Sequence, residues 1–131
     1  EEKPLQQIAS GGELSRLMLT IKAMQAGEGS APTLLLDEID TGVSGEIADK
    51  MGKIVKRMSG TVQVLAITHL PQLAAKADTH LKISKEDSTT GTHTVLHRLD
   101  DANRVVEIAK MLSGEKITKS AEENAMALLK S

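Results

Sequence analysis

Apolar positions recur at helical spacing across residues 13–26, ELSRLMLTIKAMQA, where Leu14, Leu17, Met18, Ile21 and Met24 share one face and predict an amphipathic helix. The breaker GEGSAP ends it. TLLLD, residues 33–37, is a short continuous apolar run closed by an acid, the form of a strand buried on both faces. Helical spacing returns over 46–58 through Ile47, Met51, Ile54, Val55 and Met58, with Ser44 placed to cap the helix. TVQVLAIT, 61–68, is apolar and β-branched and predicts a second buried strand. Strand, helix, strand in this order is the pattern of a parallel βαβ unit. After HLPQLAAKAD, a turn and short helix, THLKISK and THTVLHRL flank the polar EDSTTG as a hairpin. A helix over 102–113 ends at Gly114, and a last helix over 121–130 follows a Ser120-Ala-Glu-Glu123 capping box.

A chain of 131 residues with 40% hydrophobic and 26% charged residues is expected to form one globular domain, 1–131. The formal net charge of −2 gives the chain as a whole no electrostatic footprint for nucleic acid. Cysteine is absent, which excludes disulfides and thiolate metal sites and fits a reducing compartment. No apolar run approaches the roughly 18 residues of a membrane span, and the acidic start EEKPLQQ is not that of a signal peptide. Phe, Tyr and Trp are also absent, so the core rests on aliphatic side chains and no aromatic platform exists for stacking a base.

ASGGELSR, 9–16, opens the first predicted helix. Ser10 and Glu13 form a capping box, yet Gly11 and Gly12 sit inside it, each disfavoured by about 1 kcal/mol relative to alanine in a helix. The last helix is capped without glycine. A pair of glycines suits close approach of an anion to a helix N-terminus. LLLDEID then puts Asp37 and Glu38 at the carboxyl end of a strand, where open parallel sheets bind ligands. Neighbouring strand residues point to opposite sides, so one carboxylate suits Mg²⁺ and the other suits orienting or deprotonating a water. The plainer alternative makes Asp37 a loop cap and Glu38 a solvated acid. AITHLPQ brings His69 to the same sheet edge if the two strands are parallel; a packing or surface histidine is the alternative. His93 and His97, about 13 Å apart along a strand, are too distant for one ion and read as strand surface. Lys50, Lys53, Lys56 and Arg57 read as the solvated face of a helix. No G-x-x-x-x-G-K-[ST] loop is present to cradle a nucleotide phosphate.

SGGE opening a helix, then LLLDE, then THL, in this order, resemble the signature motif, Walker B strand and switch histidine of an ABC-type ATPase head. KPLQQIASGGELSRLMLTIKA, LLLDEIDTGVSG, AITHLPQLAAKADTHLKISKE and RVVEIAKMLSGEKIT extend the resemblance over nearly the whole chain to the RecN family of bacterial DNA repair proteins, relatives of the SMC proteins. The resemblance implies an α/β, P-loop NTPase-like fold: the C-terminal lobe of an ABC ATPase head, with a mainly parallel sheet flanked by helices and a hairpin toward the C-terminal part. In that family the Walker A loop lies in an N-terminal half, across a long coiled coil, which accounts for the missing P-loop. The implied cofactors are ATP and Mg²⁺. Ser10, Gly11, Gly12 and Glu13 would form the signature that meets ATP bound to a second head, with Ser10 and the two glycines at its γ-phosphate and Glu13 retaining its cap. Asp37 would hold Mg²⁺ through water, Glu38 would polarise the attacking water, and His69 would sense the γ-phosphate. IDTGVSG would be the D-loop; many relatives carry aspartate where this chain has Ser44, so Ser44 receives no catalytic role, and Arg16 is left open. The implied partners are the chain's own N-terminal Walker A lobe, a second head in a homodimer, and DNA through the full-length protein, with no membrane and a cytoplasmic, nucleoid-associated setting. The chain by itself is then expected to be inactive as an ATPase. Two other readings stand beside this one: a Mg²⁺-dependent phosphodiesterase using Asp37, Glu38 and Asp40, and a non-catalytic interaction module.

Overall fold

Five residues after the GEGSAP break form β1, Thr33–Asp37, and the computed structural model describes residues 13, 18–21, 24, 33–37 and 39–131. The chain divides into two compact units, residues 1–76 and 77–131.

In the first unit, β1 leads through α1, Gly45–Met58, to β2, Gln63–Ile67, and on to the short α2, Pro71–Ala75. The strands pair in parallel, from Thr33 opposite Gln63 to Asp37 opposite Ile67, as the βαβ pattern predicts. Leu36, Ile39, Val43, Met51, Val55 and Met58 pack in a core with Leu70 and Leu73, and Leu34, Ile47, Ile54 and Val64 close its rim. Gly52 sits where α1 passes α2: a Cβ there would lie 3.1 Å from the Gln72 carbonyl oxygen and 3.2 Å from Lys76 Cγ. Lys50 and Lys53 pair at 2.7 Å with Glu46 and Asp49, one turn earlier on the solvated face, and both carboxyls are held below their ordinary values by those hydrogen bonds.

Three expectations are corrected here. The strands are not buried on both faces: Leu35, Leu65 and Ile67 are 56%, 47% and 52% exposed on one side of the two-stranded sheet, because the described helices cover only the other. Residues 13, 18–21 and 24 are helical, but Leu19 enters the core while Met18, Ile21 and Met24 of the predicted stripe stay exposed; Leu14 and Leu17 lie outside the described residues. Ser44 occupies the N-cap position of α1 with extended backbone, yet its side chain makes no capping hydrogen bond.

In the second unit, β3, Leu81–Ser88, and β4, Gly91–Arg98, form the predicted antiparallel hairpin. The strands run further into the polar stretch than its composition suggests, leaving a two-residue turn that Ser88 Oγ tightens against Thr90 and the Gly91 carbonyl. α3, Asp101–Ser113, starts where the Asp100 carboxylate accepts from the Asn103 N–H at 2.8 Å and stops at Gly114, whose φ of 80° favours glycine. α4, Lys119–Lys130, begins earlier than predicted: Thr118 accepts from the Ala121 N–H, and Ser120 lies inside the first turn rather than at the cap. Ile108, Ala109, Ala121 and Ala125 are the buried residues of these two helices, and Lys82 of β3 pairs with Glu107 of α3.

His80 enters β3 half-buried, its Nδ1 buried without a hydrogen-bond partner. Burial, aided by the charges of Arg104 and Lys82 and opposed by Glu107, pushes the imidazole below its ordinary 6.5. Between the folded and unfolded values the unfolded chain binds the extra proton, so stability rises with pH through the window below about 6.5 and is fully present above it. Urea unfolding across that window is expected to give a shallower pH slope for His80→Gln than for the wild type; equal slopes would show that His80 contributes nothing to it.

Candidate functional site at the carboxyl edge of the parallel strands

Parallel pairing places the ends of β1 and β2 side by side, so Asp37 stands opposite Ile67 and the Thr68-His69 pair follows directly. Asp37 is exposed. The chain then turns through Asp40–Val43, closed by the Val43 N–H to Asp40 carbonyl bond of 3.1 Å, with Gly42 at φ 72°.

This turn carries Asp40 inward. It is 2% exposed, and its Oδ2 accepts from the Thr68 hydroxyl and from the His69 backbone N–H at 3.0 Å, while His69 Nδ1 lies 3.2 Å from the same oxygen, an ion-pair distance. Thr68 Oγ1 in turn accepts from the Leu70 N–H at 3.0 Å. The His69 side chain, 72% exposed, thus turns Nδ1 toward Asp40 and leaves Nε2 for an outside group. Sequence reasoning named Asp40 only as a metal ligand of the phosphodiesterase reading. Burial and two hydrogen-bond donors on one oxygen set it apart from Asp37 in that role. Glu38, the third acid of that reading, lies outside the described residues, among which no group of three His, Asp or Glu side chains could hold a metal ion. The available signal was an acid in the turn after one parallel strand facing a Thr-His pair after the next.

Of the other predicted site residues, Glu13 is helical and exposed. Ser10, Gly11, Gly12, Arg16 and Glu38 lie outside the described residues. His97 pairs with Glu86 at 2.8 Å and His93 contacts Thr90 at 3.2 Å, both on the strand surface as the spacing indicates. No helix among the described residues is long and apolar enough to cross a membrane.

The α/β fold, with a parallel strand pair in one unit and an antiparallel hairpin in the other, is that of an SMC ATPase head. It matches, with a TM-score of 0.56 and 24% identity over 77% of this chain and 62% of the other, a chain solved in work on the structural biochemistry of ATP-driven dimerization and DNA stimulated activation of SMC ATPases. No family model matches the chain. By sequence the chain is a homologue of the DNA repair protein RecN: it is 46% identical over 125 residues to RecN of Rickettsia conorii, 44% over 128 to that of Bacillus subtilis, and 39% over 127 to that of Vibrio cholerae. These alignments take in 95%, 98% and 97% of this chain but 23%, 22% and 23% of the relatives. The chain therefore spans less than a quarter of the RecN proteins it matches, in keeping with a C-terminal piece.

Proposed function

We propose that this chain is the C-terminal half of an ATP-hydrolysing, SMC-like head that acts in DNA double-strand break repair and recombination. The observation that carries the reading is the placement of Asp37 and His69 at one carboxyl edge of the parallel strands, in a chain homologous to RecN. The exposed Asp37 carboxylate fits a water-mediated Mg²⁺ ligand, and bound Mg²⁺ would supply charge neutralisation for the phosphates. Glu38 orients and polarises the attacking water. His69, with Nδ1 turned to Asp40, offers Nε2 to the γ-phosphate region. Ser10, Gly11 and Gly12 of the SGGE segment meet the phosphate of an ATP held by a second head. The Walker A loop comes from the parent protein's N-terminal lobe, and the open sheet face of Leu35, Leu65 and Ile67 is apolar surface of the kind that such a lobe covers.

ATP bound between two heads favours the engaged pair because the signature contacts exist only there, and loss of the γ-phosphate removes them. Engagement is coupled to DNA through the full-length protein. The experiment is light scattering on the complete head, this chain joined to the Walker A lobe of its parent, with a slowly hydrolysed ATP analogue and Mg²⁺. The mass is expected to double on adding nucleotide, and Gly11→Asp, which sets a side chain and a negative charge where the phosphate approaches, is expected to stay monomeric. A Gly11→Asp head that still dimerises would remove the signature role.

A further inference from the structure

We propose that Asp40 is a positioning residue for His69, fixing the imidazole as its Nδ1–H tautomer and aiming Nε2 outward. The identity of the group that Nε2 meets rests on the ATPase reading above; the tautomer does not.

The hydrogen-bond inventory leaves little freedom. Thr68 has one hydroxyl proton, and because its oxygen already accepts from the Leu70 N–H, that proton goes to Asp40. An ionised carboxylate only accepts, and a ring lone pair 3.2 Å from Oδ2 would be repelled by it, so the approach of His69 Nδ1 to that oxygen favours the proton on Nδ1. The same oxygen holds the His69 backbone N–H, so the main chain of His69 is fixed to the buried atom that its ring nitrogen faces. A ring this exposed would otherwise exchange rotamers freely, since little packing restrains it. With Nδ1 committed, only Nε2 changes with protonation: it is an acceptor in the neutral ring and a donor to an anion in the imidazolium. Asp40 touches neither substrate nor metal in this account. It lies in the turn after β1, beside the carboxylates assigned to chemistry, and couples that turn to the segment after β2.

The test is a long-range ¹H–¹⁵N correlation spectrum of the histidine rings in this chain, recorded at a pH where His69 is neutral. His69 is expected to show a protonated Nδ1 and an unprotonated Nε2; the reverse pattern, the tautomer free imidazole favours in water, would overturn the proposal. Asp40→Ala is expected to shift His69 to the Nε2–H form, and persistence of Nδ1–H in a folded Asp40→Ala chain would also overturn it. If that variant does not fold, the wild-type spectrum alone decides. In the complete head, Asp40→Asn is expected to lower kcat at least about tenfold through a misaimed His69 while leaving KM for ATP nearly unchanged. An unchanged kcat would deny Asp40 a part in the reaction. A wild-type head that hydrolyses no ATP would instead sink the ATPase reading, and the tautomer spectrum would still decide the role of Asp40.

Discussion

Glu38→Gln in the complete head is expected to slow ATP hydrolysis by about two to three orders of magnitude, within the range a lost general base produces. Glutamine keeps the size and hydrogen-bonding reach of the side chain but removes the charge that polarises the attacking water. Nucleotide binding is expected to survive, because in this account it depends on the Walker A lobe, on Asp37 through Mg²⁺, and on the signature of the opposite head. The engaged pair should therefore outlive that of the wild type, since loss of the γ-phosphate is what opens it. Phosphate release at saturating ATP, read beside light scattering, checks both halves of the expectation. Wild-type turnover by Glu38→Gln would take this residue out of the chemistry.

The largest effect on folding is expected at Leu36. It is fully buried in β1, opposite Ala66 of β2, in the core that includes Met51, Val55 and Met58. Leu36→Ala removes buried methyl groups and leaves a cavity, a loss of about 2–5 kcal/mol in well-packed cores. The core contains no aromatic residue, and its aliphatic side chains are fixed to a sheet and helix that collapse only partly into the gap. Leu35→Ala, one residue earlier on the exposed face, is expected to shift the urea midpoint of this chain little. In the complete head Leu35→Ala should instead weaken attachment of the Walker A lobe. Equal urea shifts for the two variants in this chain would contradict the one-sided packing of the sheet.

The parallel unit was legible because its signals are local: a short apolar run, a helical stripe and a second β-branched run, which topology rules join in one way. The hairpin was legible for the same reason. The side on which a strand packs was not, since TLLLD and TVQVLAIT are apolar throughout and lack the alternation that marks an exposed face. Leu19 enters the core while Met18, Ile21 and Met24 of the predicted stripe stay exposed, a choice made by tertiary packing rather than by periodicity. At α4 the capping-box pattern points to Ser120 with its glutamate, whereas Thr118, two residues earlier, is the residue whose hydroxyl reaches the free N–H. At the site, the common edge of Asp37 and His69 followed from parallel strands alone. The hold of Asp40 on His69 did not, because it joins residues 29 apart in sequence through a turn whose direction no local pattern gives.

The central claim, that this chain is half of an ATPase head, is tested most directly by Mg²⁺-dependent ATP hydrolysis measured on this chain alone and on the same chain joined to the Walker A lobe of its parent. The account predicts hydrolysis by the joined form and none by the chain alone. A folded joined form without hydrolysis, or hydrolysis by the chain alone, would contradict it.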